Sequence, residues 1–182
     1  MKFRFEDQPH QAAAISAAVD LFEGVLVPPH HVAGTPPGAS GHAGFVLNHD
    51  VLTENLTRVS TREKVEVQGA LELLEISDLL DQERAFPNFS VEMETGTGKT
   101  YVYIATALRL AETHGLRKFV ILVHSVAIRA GVVKTFNDTL EHFRHKFPNL
   151  PYSWSVLGDS RALDDFVAPS SEVQFIVAGV QL

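Results

Sequence analysis

Phe89-Ser90-Val91-Glu92-Met93-Glu94-Thr95-Gly96-Thr97-Gly98-Lys99-Thr100 decides the reading of this chain. Residues 89–93 have the composition of a strand, and a helical pattern follows from Thr100 to about His114. Strand, glycine loop, lysine, hydroxyl and helix, in that order, are how a chain holds a nucleoside triphosphate. Gly96 and Gly98 permit positive φ and bring backbone N–H groups close to phosphate oxygens. Lys99 sets a cation against the outer phosphates, and Thr100 offers a hydroxyl to Mg²⁺. The start of the following helix adds partial positive charge. The bland alternative is a chance match in a structural turn. At average residue usage GTGKT arises by chance in on the order of one in several thousand chains of this size. Met93 stands where the common pattern has its first glycine, which weakens a nucleotide-kinase reading.

Downstream of the loop, strands and helices alternate. Gly115 is placed to end the first helix with a left-handed cap. A strand is expected at 118–123, a helix at roughly 126–147 stopped by Pro148, and a strand from Tyr152 to Leu157. A short helix after Arg161 and a last strand from Glu172 to Ala178 complete the pattern. Such alternation implies a parallel sheet covered by helices. Upstream, Ala12, Ile15, Val19 and Phe22 fall at helical spacing over 8–23, and Gly24 stops that helix. Residues 27–44 contain four prolines and four glycines and read as a loop. Residues 50–84 are helical in pattern, with Val67, Leu71, Leu74 and Leu79 as core candidates and Glu72, Glu75 and Asp78 on wetter faces.

The bulk properties set bounds. A chain of 182 residues is one domain or a little more, and 45% apolar with 20% charged residues is globular. A net charge of -7 gives no global basic footprint for nucleic acid. The clusters at Arg58, Arg62 and Lys64, at Arg117 and Lys118, and at Arg144 and Lys146 read best as solvated surface charge. With no cysteine there are no disulfides and no thiolate metal sites. The first residues, MKFRFEDQPH, have no apolar signal core, and the apolar runs are too short to span a bilayer. A cytoplasmic protein with no membrane partner is expected.

Beyond these physical readings, METGTGKT resembles motif I of superfamily 2 helicases, which often lack the first glycine of the phosphate loop. The stretch VEMETGTGKTYVYIATALRLAETHGLRKFVILVHSVAIRAGVVKTF resembles the Res subunit of type III restriction–modification enzymes. The upstream DQPHQAAAISAAVDLFEG resembles the N-terminus of that family. The resemblance covers most of the chain and is weakest across 25–60. It implies an α/β fold: an incomplete RecA-like P-loop domain, a parallel sheet flanked by helices, with an N-terminal helical extension. It divides the chain into an N-terminal helical region, 1–88, with a flexible loop at 25–49, and a first RecA-like ATP-binding lobe, 89–182, ending before the Walker B box. It implies that Gln11 reads adenine, for which a side-chain amide has the right donor and acceptor. Thr95, Gly96, Thr97, Gly98, Lys99 and Thr100 would hold ATP, with Thr100 on Mg²⁺ and Lys99 stabilising phosphoryl charge. Ser125 to Arg129 match motif Ia, so Ser125 and Arg129 would touch the DNA backbone. Ser125 is equally placed to cap a helix. His124 and Ala130 stand where the family usually has Pro and Glu. The implied partners are ATP, DNA and a modification (methyltransferase) subunit.

Hydrolysis needs an acidic residue on Mg²⁺ and another to orient water. Asp159 is the nearest candidate, after too short an apolar run, while Asp164-Asp165 has no strand before it and Glu172 precedes its strand. The isolated chain is therefore expected to bind nucleotide without turnover. The alternatives are an inactive remnant that binds nucleotide weakly or not at all, and a stand-alone P-loop phosphotransferase. Among nine histidines, His142 and His145 lie one helical turn apart, but no third ligand is spaced to join them. Solvent-facing histidines are expected there, and Trp154 is expected to pack a strand.

Overall fold

The computed structural model describes residues 6, 8–24, 48–66, 71–77, 83–158 and 160–180. The element order is α1 (Pro9–Asp20), α2 (His49–Glu63), β1 (Leu73–Ser77), β2 (Glu83–Pro87), α3 (Lys99–His114), β3 (Lys118–Val123), α4 (Val126–Lys146), β4 (Tyr152–Val156), α5 (Ser160–Val167) and β5 (Val173–Gly179). β3, β5 and β4 form a parallel sheet in that spatial order. The architecture is α/β, as expected of part of a RecA-like lobe.

Local signals account for most boundaries. α3 ends at Gly115, which takes φ +74° and donates its N–H to the Ala111 carbonyl. Arg117 is half-buried and also bonds the Ala111 carbonyl, so it closes the helix end and is not the solvated charge expected. α4 starts at Ser125, whose hydroxyl accepts from Ile128 N–H, and α2 starts at Asn48, which accepts from Asp50 and Val51.

The chain goes from β3 to β4 through α4, then back to β5 through α5. Right-handed crossovers put these helices on opposite faces of the sheet. On the α4 face, Phe119, Ile121 and Val123 meet Phe175, Val177 and the fully buried Phe136 and Phe143. The Phe136 and Trp154 rings stack at 5.6 Å, which bears out strand packing for the tryptophan. On the other face, Lys118 donates to the Ala168 carbonyl and the Gln174 side chain and sits over Phe166 of α5. Val120 and Leu122 of β3 lie on that face and are exposed.

Two expectations for the N-terminal half need correction. The helical pattern over 50–84 holds only to Glu63, where Lys64 takes φ +57° and caps α2. Beyond it β1 and β2 pair antiparallel, with Leu74 opposite Phe86. The run LELLEIS satisfies either period, and cross-strand pairing prevails over local helical preference. Leu71 packs on a small cluster around Leu52, as predicted, but Leu74 is exposed; Val67, Leu79 and Asp78 lie outside the described residues. Second, residues 89–93 are not a strand among the described residues. A strand needs a neighbour to supply the ladder, and none is bonded to this segment. Phe89 instead meets Phe22 edge-on at 6.1 Å, and Met93 packs against the main core.

α1 ends at Asp20, followed by a turn to Gly24, and its Ala12 is exposed where a core position was expected. Ile15 packs against the main core as expected, and Ala14, not Ala12, joins it there. Asn55 of α2 is buried and donates to the Leu21 and Glu23 carbonyls, which satisfies its amide and fixes the turn. The ion pairs Arg58–Glu23 and Arg62–Asp20 are largely exposed and add little. Among the described residues, no helix is long and apolar enough to cross a membrane.

Tyr152 opens β4 with a buried hydroxyl that has no hydrogen-bond partner among the described residues. An unsatisfied buried hydroxyl costs about 1–3 kcal/mol. Tyr152→Phe is expected to stabilise the fold by about 1 kcal/mol and raise Tm by roughly 2–4 °C. Burial also pushes the phenol up to about 12. A free tyrosine ionises near 10. The folded-state value is raised, so its stability is full below pH ~10 and is lost as pH rises through the folded value. Denaturant titrations of both proteins from pH 8 to 12 check this: a variant with the same midpoint and the same alkaline slope as the parent would refute it.

Candidate nucleotide site

The phosphate-loop segment closes on itself through one carbonyl. Glu94 O accepts Thr97 Oγ1 at 2.7 Å, Thr97 N–H at 3.5 Å and Lys99 Nζ at 3.1 Å. Gly96 and Gly98 take φ +84° and +87°, a backbone region that strains any residue with a Cβ. Gly98 is the N-cap of α3 and supplies no side-chain bond, in contrast to Asn48 at α2 and Ser125 at α4. Gly98 therefore brings no side-chain acceptor to the first N–H groups of α3, an arrangement that suits an anion. Lys99 is exposed at the first helical position, and Thr100 follows it half-buried. Burial pushes the Tyr103 phenol up, and a hydrogen bond with the Thr100 hydroxyl opposes that shift.

The packing of α1 on α3 brings Gln11 to this loop. Gln11 Nε2 donates to Thr97 O at 2.9 Å, across 86 residues of sequence. His10 Nε2 reaches the same carbonyl at 3.2 Å. Two neighbouring side chains thus hold the middle of the loop. Gln11 was legible in the sequence and His10 was not; the one visible signal of His10 was its place beside Gln11 at a helix start.

A Cβ at Gly98 would lie 2.5 Å from Gln11 Nε2, while one at Gly96 would meet nothing within 4 Å. Both Gly→Ala changes incur left-handed strain of roughly 1–2 kcal/mol. Only Gly98→Ala also drives the Gln11 amide off Thr97. If this loop holds a nucleotide, Gly98→Ala is expected to weaken MgATP binding several-fold more than Gly96→Ala, measured by calorimetry on both. Equal losses would contradict the Gln11 placement.

Ser125 and Arg129 sit elsewhere, at the carboxyl ends of the parallel strands. Ser125 caps α4. Arg129 is half-buried, with Nη1 3.9 Å from where a Cβ on Gly179 would stand, so its guanidinium lies over the end of β5. No hydrogen bond joins either residue to the glycine loop among the described residues. That edge is where open α/β sheets place ligands. Beside these residues, Val126 and Ile128 are exposed.

The other candidates resolve differently. No group of three or more metal-ligating side chains is present among the described residues. His142 is half-buried and bonded to Tyr101 at 2.9 Å, not solvent-facing as expected. Asp164 and Asp165 lie exposed on α5, and Asp159 falls outside the described residues. None of β3, β4 and β5 contains an acidic residue.

Comparison with known proteins matches residues 4–178 to the family described as type III restriction enzyme, res subunit. The chain is 32% identical over 142 residues to the type III restriction-modification enzyme EcoP15I Res subunit of Escherichia coli, covering 76% of this chain and 13% of that protein. It is 31% identical over 150 residues to the EcoPI Res subunit of Escherichia phage P1, covering 80% of this chain and 14% of that protein. The StyLTI Res subunit of Salmonella typhimurium is 42% identical over 64 residues, 34% of this chain and 6% of that protein. The chain thus spans at most 14% of the length of these relatives. With nearly its whole length matched, and with the α/β architecture and glycine loop described above, the chain belongs to the Res-subunit family of type III restriction enzymes.

Proposed function

We propose that this chain is the ATP- and DNA-binding N-terminal lobe of a type III restriction helicase or translocase subunit. The observation that carries the reading is the glycine loop at the uncapped start of α3 with the Gln11 amide on its Thr97 carbonyl. Thr95 to Gly98 offer backbone N–H groups to the phosphates. Lys99 leaves the Glu94 carbonyl for the outer phosphates, and Thr100 supplies a hydroxyl to Mg²⁺. The metal neutralises charge on the phosphates when bound. Gln11 reads the adenine edge from beside the loop. Ser125 and Arg129 take the DNA backbone at the strand ends, Arg129 through a guanidinium suited to phosphate. Residues 89–182 form the nucleotide-binding lobe, and 1–88 add the adenine-reading segment.

In the whole protein, ATP hydrolysis would drive movement along DNA before cleavage, together with a modification subunit that reads the sequence. The 182-residue chain binds MgATP without turnover on this reading, since the described strands bring no acid to the metal. Calorimetric titration with MgATP and MgGTP tests it. MgATP is expected to bind more tightly, and Gln11→Ala to lower that preference by about fivefold, the low end of a 1–3 kcal/mol bidentate contact. Equal affinity for the two nucleotides in the parent chain would remove the adenine-reading role. Failure to bind either would remove the nucleotide reading.

A further inference from the structure

One phenol of the first turn of α3 reaches the last third of α4. Tyr101, the residue after Thr100, is buried, and its hydroxyl lies 2.9 Å from His142 Nε2. Its ring stacks on Phe143, with centroids 5.1 Å apart and planes at 23°. Lys146 Nζ stands 3.4 Å from the same hydroxyl and 6.0 Å from the ring centroid. Residues 142, 143 and 146 of one helix thus converge on one residue of the other.

Packing alone does not call for this arrangement. Phenylalanine would fill the slot over Phe143 without bringing a hydroxyl into the interior, where it costs free energy unless bonded. The hydroxyl is bonded, and a directional bond fixes rotation as well as distance. α3 also lacks a side-chain cap at Gly98. Its first turn is therefore oriented from outside: by Gln11 and His10 through Thr97 on one side, and by Tyr101 on the other. Lys99 and Thr100 lie between these two holds. Ser125 caps the other end of α4, so a single rigid helix links this contact to the segment bearing Arg129.

We propose that Tyr101 and His142 are positioning residues that set the direction of Lys99 and Thr100 by locking the first turn of α3 to α4. Their effect on nucleotide rests on the ATP-binding reading above; their effect on the loop does not. The variants are Tyr101→Phe, which keeps the stack and removes the hydroxyl, His142→Ala, His142→Gln, which keeps a bonding group, and the Tyr101→Phe/His142→Ala double variant. Each is measured in the 182-residue chain for amide hydrogen exchange without nucleotide, for MgATP affinity and for Tm.

Tyr101→Phe and His142→Ala are each expected to speed exchange across residues 95–102 and leave β5 unchanged. Each should lower MgATP affinity about fivefold, the value of one net hydrogen bond. The double variant should be no worse than either single one, and His142→Gln should restore most of the loss. Exchange that rises equally in β5 and the loop, or a fall in Tm with the loop unchanged, would show a merely structural contact and overturn the proposal. A parent chain that binds no MgATP would sink the nucleotide reading, while the exchange pattern still decides this one.

Discussion

Lys99→Ala is expected to lower MgATP affinity by about ten- to a hundredfold while leaving Tm within a degree or two of the parent. The side chain is exposed, and among the described residues its hydrogen bond is to the Glu94 carbonyl of its own loop. Removing an exposed lysine there loses little folding energy. Against a triphosphate the same ammonium would make charge-assisted bonds, each about 1.5–3 kcal/mol, which converts to the stated loss. Thr97 Oγ1 and Thr97 N–H still hold Glu94 O in the variant, so the loop keeps its shape. Calorimetry with MgATP, paired with thermal melting, separates the two effects. Unchanged affinity in a folded variant would mean that this loop is not where nucleotide binds.

Phe136→Ala is expected to destabilise the chain by about 3–5 kcal/mol, the usual range for a fully buried aromatic. Phe136 has no exposed surface, and it joins α4 to two strands at once. Its ring stacks on Trp154 of β4 at 17° and meets Phe175 of β5 at 5.1 Å. Phe175 in turn stacks on Phe119 of β3. One row of rings therefore spans the sheet, and deleting its centre leaves a cavity bordered by aromatic faces that cannot close onto it. Typical domains have about 5–15 kcal/mol in all, so the variant should be partly unfolded at modest denaturant. The chain's single tryptophan lies in that row and reports the transition directly by fluorescence. A loss below about 1.5 kcal/mol, the range of volume-conserving swaps, would show that the row is not the core of the sheet.

The elements legible in advance were those with strong local punctuation. Residues 99–114 form a helix because apolar spacing runs unbroken to Gly115, which alone accepts the left-handed cap without strain. β3, β4 and β5 were legible as short apolar runs between turn signals. Gly96 and Gly98 were legible because their chemistry is a backbone matter, and both do take positive φ. Segments whose local signal was divided came out wrong. LELLEIS fits a helix or a strand, and pairing with residues 83–87 decided for the strand. Phe89 to Met93 has strand composition, yet no strand among the described residues bonds to it. His142 read as solvent-facing because nothing in its neighbours along the chain announces Tyr101, 41 residues away.

The family and the positive φ of the loop glycines were thus readable from the chain alone. They depend on residue types a few positions apart, where φ, charge and hydrogen-bonding capacity act directly. The order β3–β5–β4, the Gln11 amide on Thr97, Arg129 over the end of β5, and Tyr101 on His142 depended on the fold. Each follows from how α1, α3 and α4 bury their apolar faces against one another and the sheet. That burial is a sum over many small contacts between distant residues, and no single stretch of sequence contains it.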